Sequence, residues 1–159
     1  MKVVSFRHRK RARDERLIDL LARANHVLAE GFHAQVKARG LSVAEWRVLA
    51  ALEERDGVAM TDLARQLLFK QPTLTKVIDR MARASLVRRR TPPQDRRRTL
   101  VDLTEHGRQL ATPLLVNARN HEAWVARVLG SAGFEKCRAI LVEIADRLDE
   151  PYWNRDQPG

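Results

Sequence analysis

Cysteine is almost missing from this chain: Cys137 is the only thiol in 159 residues. One cysteine cannot close an intramolecular disulfide framework or build a cysteine-rich zinc site, and it fits a reducing compartment. Long apolar runs are missing too. No stretch approaches the roughly 20 apolar residues of a spanning helix, so no membrane partner is expected. The basic start MKVVSFRHRKRARDER is not followed by the apolar core and small-residue cleavage site of a secretory signal, and a cytoplasmic chain is expected. Catalytic arrangements are lacking as well. The five histidines, at positions 8, 26, 33, 106 and 121, form no His-x-x-x-His or His-Glu-x-x-His pair. Neither a phosphate-cradling glycine-rich loop nor a nucleophile elbow occurs, so no enzyme, metal site or cofactor is expected. Acidic residues are also short. Twenty Asp and Glu against 30 Lys and Arg leave a formal charge of +10 and a pI near 10.9. That excess points to a polyanionic partner, with nucleic acid ahead of an anionic membrane.

Apolar residues make up 44% of the chain, enough for a core, and the length suits about one domain. Residues 1–12 form a basic N-terminal arm. From Arg13 to Lys37 the residues Leu17, Leu21, Ala24, Leu28, Phe32 and Val36 keep helical spacing, which predicts a long first helix closed by Gly40. Ser42 with Glu45 three residues later is a capping-box pattern, and Leu41 and Trp46 occupy the positions of a hydrophobic staple. A second helix is predicted over about 43–54, closed by Asp56-Gly57, and a short third over 61–68 capped by Thr61. Pro72 suits the first turn of a fourth helix, about 72–84, with Leu74, Val77, Ile78 and Met81 inward. Leu86–Thr91 and Arg97–Leu103 read as two short strands around Pro92-Pro93.

Thr104 can cap a long fifth helix running to about Leu129, in which Pro113 predicts a kink or break. Gly130-Ser131 ends it, and a sixth helix carries Phe134, Cys137, Leu141, Ile144 and Leu148 at alternating three- and four-residue spacing. On that stripe Cys137 is expected to be a buried, inert thiol. The fold class is thus mainly α with a small β-hairpin: a reader over 41–103, between a first helix at 13–40 and C-terminal helices at 104–149, with a tail at 150–159. The flanking helices carry more apolar stripe than the small centre can bury. Pairing with a second copy would bury it, so a homodimer is expected.

The segment Leu41-Ser42-Val43-Ala44-Glu45-Trp46-Arg47-Val48-Leu49, the helix start Pro72-Thr73-Leu74-Thr75-Lys76, the exit Leu86-Val87-Arg88-Arg89 and the loop Asp95-Arg96-Arg97 resemble the MarR (multiple antibiotic resistance regulator) family. The family's wing pattern, Asp-x-Arg followed by five residues and Leu-Thr, falls on Asp95, Arg97, Leu103 and Thr104. The resemblance covers roughly residues 13–149. It implies a dimeric winged helix-turn-helix repressor that binds a palindromic double-stranded DNA operator and lets go when a small molecule binds. Two positions depart from the family pattern: Ser85 stands where glycine is usual, and Pro113 lies inside the helix after the wing.

The expected DNA-facing residues are Gln71, Thr73, Thr75, Lys76 and Arg80 on the fourth helix, with Arg88 and Arg90 as phosphate contacts on the first strand. Alternation along that strand turns one of its three arginines to the other face. The resemblance implies that Arg97 enters the minor groove at the wing tip and that Asp95 holds the wing arginines, with Arg96 and Arg98 beside phosphates. The family's effector pocket lies between the dimerisation helices and the reader. His26, Phe32, His33, Trp46, Arg47 and Trp124 fall in that neighbourhood, a set suited to an aromatic acid or phenol. The alternatives are an architectural or constitutive regulator without a pocket and an RNA-binding adaptor. Arg97→Ala is expected to weaken binding to duplex DNA about tenfold or more, roughly 1.4 kcal/mol, while leaving self-association unchanged. A titration at physiological salt with unchanged affinity would remove this role from the wing.

Overall fold

A computed structural model of the protein describes residues 16–147 other than 56, 94, 96 and 97. The basic arm, the tail, Leu148, Arg96 and Arg97 therefore lie outside the described residues. The chain divides into two compact units, residues 1–116 and 117–159.

In the first unit the elements follow in the order α1 (Leu17–Ala38), α2 (Val43–Glu53), β1 (Val58–Ala59), α3 (Met60–Gln66), α4 (Gln71–Arg83), β2 (Val87–Arg90), β3 (Leu100–Leu103) and the start of α5 (Glu105–Leu129). The strands form an antiparallel sheet in the order β1-β3-β2. This is the mainly helical winged helix-turn-helix that the sequence predicts, with α3 and α4 as its helix pair and β2–β3 as the wing hairpin. Its core is drawn from nearly every element: Leu49 and Leu52 of α2, Leu63 of α3, Leu74, Ile78 and Met81 of α4, Val101 of β3 and Leu114 of α5 are fully buried. Each such side chain contributes about 1.5–3 kcal/mol by leaving water.

Three helices end by one device. At the close of α1, Gly40 takes a φ of +74°; its N–H donates to Lys37 O (2.9 Å) and that of Leu41 to Val36 O (3.3 Å). This Schellman pair satisfies carbonyls that the helix leaves open. The same two bonds close α3 at Leu68, with φ +54°, and α4 at Ser85, with φ +55°. Glycine takes this left-handed conformation freely, whereas a side chain makes it cost about 1–2 kcal/mol. Ser85 thus keeps the geometry of the glycine it replaces, and Leu68 adds a second strained site that the sequence reading missed. Its side chain is 89% exposed.

The capping box forms as expected. The Ser42 N–H donates to Glu45 Oε2 (2.7 Å) and the Glu45 N–H to Ser42 Oγ (3.2 Å), with Leu41 and Trp46 both buried. The third helix differs: it starts at Met60, its cap position is Ala59, and Thr61 lies inside it. The reason is β1, which the sequence reading missed. Val58 and Ala59 pair with Val101 and Leu100, and the Met60 N–H donates to Thr99 O at 3.0 Å, so the helix starts at the sheet edge. The hairpin strands are shorter than expected: β2 lacks Leu86, whose N–H is held by Met81 O in the α4 terminus, and Thr91, while β3 starts only at Leu100 and ends, as expected, at Leu103.

Thr104 caps α5 by accepting the Gly107 N–H (3.0 Å), while its hydroxyl donates to Ser85 O (2.5 Å) and its N–H to Leu86 O (3.1 Å). A Cβ at Gly107 would land on the Leu86 carbonyl oxygen, so only glycine fits there. The helix then runs through Pro113 without the break that was one of the two expected outcomes, a kink or a break. One missing N–H is a local loss that the surrounding turns of a 25-residue helix tolerate.

The second unit holds the end of α5 and α6 (Ser131–Arg147), joined at Gly130. No residue of α6 is buried. Phe134 and Ile144 are half-buried and Leu141 is exposed, as is Cys137, which corrects the expectation of a buried thiol. The stripe is present, but nothing within its own unit covers it. Among the described residues no helix is long and apolar enough to cross a membrane. Leu68→Gly and Ser85→Gly are each expected to raise unfolding stability by about 0.5–1 kcal/mol, the left-handed cost less glycine's extra chain entropy. Gly107→Ala should lower it by about 2 kcal/mol or more; chemical denaturation at one protein concentration measures all three.

Candidate nucleic-acid interface

The four inward residues of α4, Leu74, Val77, Ile78 and Met81, are buried as its periodicity requires. Their burial leaves Gln71, Thr73, Thr75 and Lys76 exposed on the opposite side, with Lys70 just before the helix. The side chains of Lys70 and Lys76 make no hydrogen bond or ion pair among the described residues, so two ammonium groups face water at the start of the helix. The Thr75 hydroxyl donates to Gln71 O at 2.9 Å. To a ligand it therefore offers acceptor lone pairs and a methyl group rather than a donor. Short polar side chains and free cations at a helix start suit the edges and phosphates of a major groove. Lys70 was not among the expected contacts; its place at the α4 cap is the signal that could have found it.

The arginines divide in a way the sequence does not show. Arg80, expected to face DNA, turns to α2 instead: its Nε donates to Glu45 Oε1 (2.7 Å) and its Nη2 to Ser42 Oγ (3.1 Å). On β2, Arg88 and Arg90 share the nearly buried Asp102, at 3.6 and 3.2 Å from its Oδ2. Their side chains remain 70% and 51% exposed, so one carboxylate anchors two guanidinium groups that still face solvent. Arg89 points to the other face, where it meets Asp79 of α4 at 2.7 Å and donates to Thr75 O at 3.4 Å. Arg98 reaches Asp62 of α3 at 3.8 Å. In the wing loop the Asp95 N–H donates to Pro92 O and the Arg98 N–H to Asp95 O, both at 3.2 Å. The expected grip of Asp95 on Arg96 and Arg97 falls outside the described residues.

Glu45 is the buried charge of this region. Burial alone would raise its carboxyl pKa, but the Ser42 N–H and hydroxyl together with the Arg80 guanidinium outweigh it and hold the group below its ordinary 4.5. It is therefore an anion in the folded chain near neutral pH.

The expected effector residues separate into groups. Phe32 and Trp46 meet edge to face, with ring centroids 5.2 Å apart. Arg47 is directed elsewhere: its Nη2 donates to Leu67 O (2.6 Å) and its guanidinium lies 4.9 Å from the Phe69 ring centre. His26 is exposed, 3.7 Å from Glu30. With the half-buried His33 it lines an open groove formed by α1 alone. Trp124 belongs to the second unit, where it is 48% exposed and lies 5.6 Å from the His121 ring.

The family model described as MarR family matches residues 39–98. The chain is 34% identical to a MarR family transcriptional regulator from Silicibacter pomeroyi DSS-3, SPO1453, whose crystal structure superposes with a TM-score of 0.74 over 83% of this chain and 94% of that one. It is 27% identical to the transcriptional repressor CouR bound to a 23-mer DNA duplex, with a TM-score of 0.73 over 82% and 92% of the two chains. To NadR in complex with 4-hydroxyphenylacetate it is 25% identical, with a TM-score of 0.74 over 91% and 98%.

Lys76→Ala is expected to leave unfolding stability within about 0.5 kcal/mol, whereas Arg80→Ala should cost about 1–3 kcal/mol because it strips a buried carboxylate of its partner. The folded pKa of Glu45 lies below its unfolded value, so its stabilisation is complete above about 4.5 and is lost as pH falls through the lower folded value. Denaturation curves across that acid range should show the loss in the wild type and a flatter profile in Glu45→Gln.

Proposed function

The chain belongs to the MarR family of transcriptional regulators, and we propose that it is a repressor that binds a palindromic double-stranded DNA operator as a homodimer and is released by a small aromatic acid or phenol. The observation that carries this reading is the exposed face of α4. The side chains of Gln71, Thr73, Thr75 and Lys76 are exposed and, among the described residues, make no hydrogen bond or ion pair except that of the Thr75 hydroxyl, and Lys70 adds charge at the helix start. The similar repressor CouR, bound to a DNA duplex, supports the same use of the fold here. Arg88, Arg90 and Arg98 are phosphate contacts in this scheme, each on an internal acid that sets its direction, and Arg97 probes the minor groove. Arg80 is bound to Glu45 and Ser42 while its side chain stays 54% exposed.

Residues 13–40 and 104–149 supply the dimer contacts and 41–103 the reader, with 1–12 as an arm on phosphates. The exposed Leu17, Ile18 and Val27 of α1 and Ile140, Leu141 and Val142 of α6 support this division, since a second copy would take them out of water. A two-fold dimer would set its two α4 helices about 34 Å apart, one turn of duplex. The effector would favour a dimer whose α4 spacing no longer matches the operator, which requires it to bind that state more tightly. NadR, which holds 4-hydroxyphenylacetate, supports this class of effector. Phe32 and Trp46 supply an aromatic wall, with His33 and His26 on α1 and Trp124 on α5 as further contacts. Nothing in this scheme requires a cofactor or a catalytic residue.

Selection of a random duplex library by the purified protein should enrich a two-fold symmetric sequence. Titration of 4-hydroxyphenylacetate and related acids into the selected complex should then lower its affinity tenfold or more, and His33→Ala should blunt that response. A library without enrichment, or a preference for RNA of equal length, sinks the repressor reading. An enriched duplex that no aromatic acid releases leaves a constitutive regulator.

A further inference from the structure

We propose that Glu45 and Arg47, on either side of Trp46 in α2, are positioning residues that hold the recognition helix α4 at its two ends and so set how well it distinguishes bases. The inference rests on the reading of α4 as the DNA-facing helix. Residues two apart on a helix diverge by about 200° around its axis, so these two side chains leave α2 in different directions. Trp46 between them is buried and meets Phe32 edge to face, which fixes the segment against α1.

Arg47 takes the leading end of α4. Its Nη2 donates at 2.6 Å to the carbonyl of Leu67, the residue that caps α3. Its guanidinium carbon lies over the Phe69 ring, 4.9 Å from the centre, and Phe69 precedes Lys70, the cap residue of α4. One side chain therefore holds both flanks of Leu68. That hold has work to do, because Leu68 is left-handed and 89% exposed and cannot fasten the turn by its own packing. A guanidinium can donate through one nitrogen while its carbon lies over a ring, whereas a lysine ammonium is a single point charge that cannot occupy both places at once.

Glu45 takes the far end. Its Oε1 accepts from Arg80 Nε at 2.7 Å, and Ser42 Oγ accepts from Arg80 Nη2 at 3.1 Å. Arg80 lies nine residues after Gln71, so the two grips are separated by about 13 Å along the helix. The inward apolar face of α4 resists lifting, but apolar packing is not directional. The Arg47 grip on the turn before α4 and the Glu45 grip on Arg80 are directed, as is the Arg89–Asp79 pair from β2 at mid-helix, and rotation or sliding of α4 strains these contacts. Neither grip uses the exposed Gln71, Thr73, Thr75 or Lys76, so losing one changes the pose of that face and not its chemistry.

The test uses the full chain with Arg47→Ala, Arg47→Lys and Glu45→Gln, a duplex selected by the wild type from a random library, and a scrambled duplex of equal length and composition. Preference for the selected over the scrambled duplex should fall tenfold or more in Arg47→Ala and Glu45→Gln, with affinity for the scrambled duplex within about twofold of wild type; Arg47→Lys should regain less than half of the lost preference. Should Arg47→Ala fail to fold, Arg47→Lys and Glu45→Gln carry the same comparison. Variants that keep the wild-type preference, or that lose affinity for both duplexes in step, overturn the positioning role. A wild type with no preference for any duplex sinks the repressor reading together with it, whereas a preference that the variants retain sinks the positioning role alone.

Discussion

The buried carboxylate of Glu45 ties two helices of the reader together. Glu45 accepts from the backbone that begins its own helix and from a guanidinium on α4, so helix start and helix–helix contact share one anion. Taking a carboxylate out of water is costly unless its lone pairs are filled, and here Ser42 and Arg80 fill them from two directions. The charge is held by charged and neutral donors together, and its low pKa records that balance. Around it the apolar core supplies most of the free energy but little direction. Directional bonds decide where α4 stops turning.

Other charged contacts repeat this logic at smaller scale. Asp79 fastens the root of the hairpin to α4 through Arg89, Asp62 meets Arg98 from α3, and Asp102 draws two arginines to one edge of the sheet. Pairs this exposed contribute little stability, with a median of about 0–1 kcal/mol. Their effect is to orient long cationic side chains. An excess of arginine over acid therefore becomes a pattern, in which some cations are internal struts and others, such as Lys70 and Lys76, keep their charge for the outside.

What was legible in the sequence follows from the range of the interaction involved. The capping box at Ser42, the proline that opens α4 and the Thr104 cap act within one turn and could be read from a few adjacent residues. Helical stripes identify the buried face of α4, and with it Gln71, Thr73, Thr75 and Lys76 as the exposed one. The strand β1 escaped notice because two residues cannot show an alternation. The internal partners of Arg80 and Arg47 were not legible for a different reason. The Glu45–Arg80 pair spans 35 residues of sequence and the Arg47–Leu67 pair spans 20, and a run of arginines reads the same whether each is bound or free. Proline inside α5 does not end the helix, since a long helix absorbs one missing bond that would end a short one.

The junction at Thr104 and Gly107 bears on movement. Thr104 is bonded to both Ser85 and Leu86, and Gly107 rests against the same Leu86 carbonyl with no room for a methyl group. The first turn of α5 and the root of the wing are in effect one welded part. A displacement of that turn is passed to the start of β2 through these contacts rather than absorbed by a loose joint.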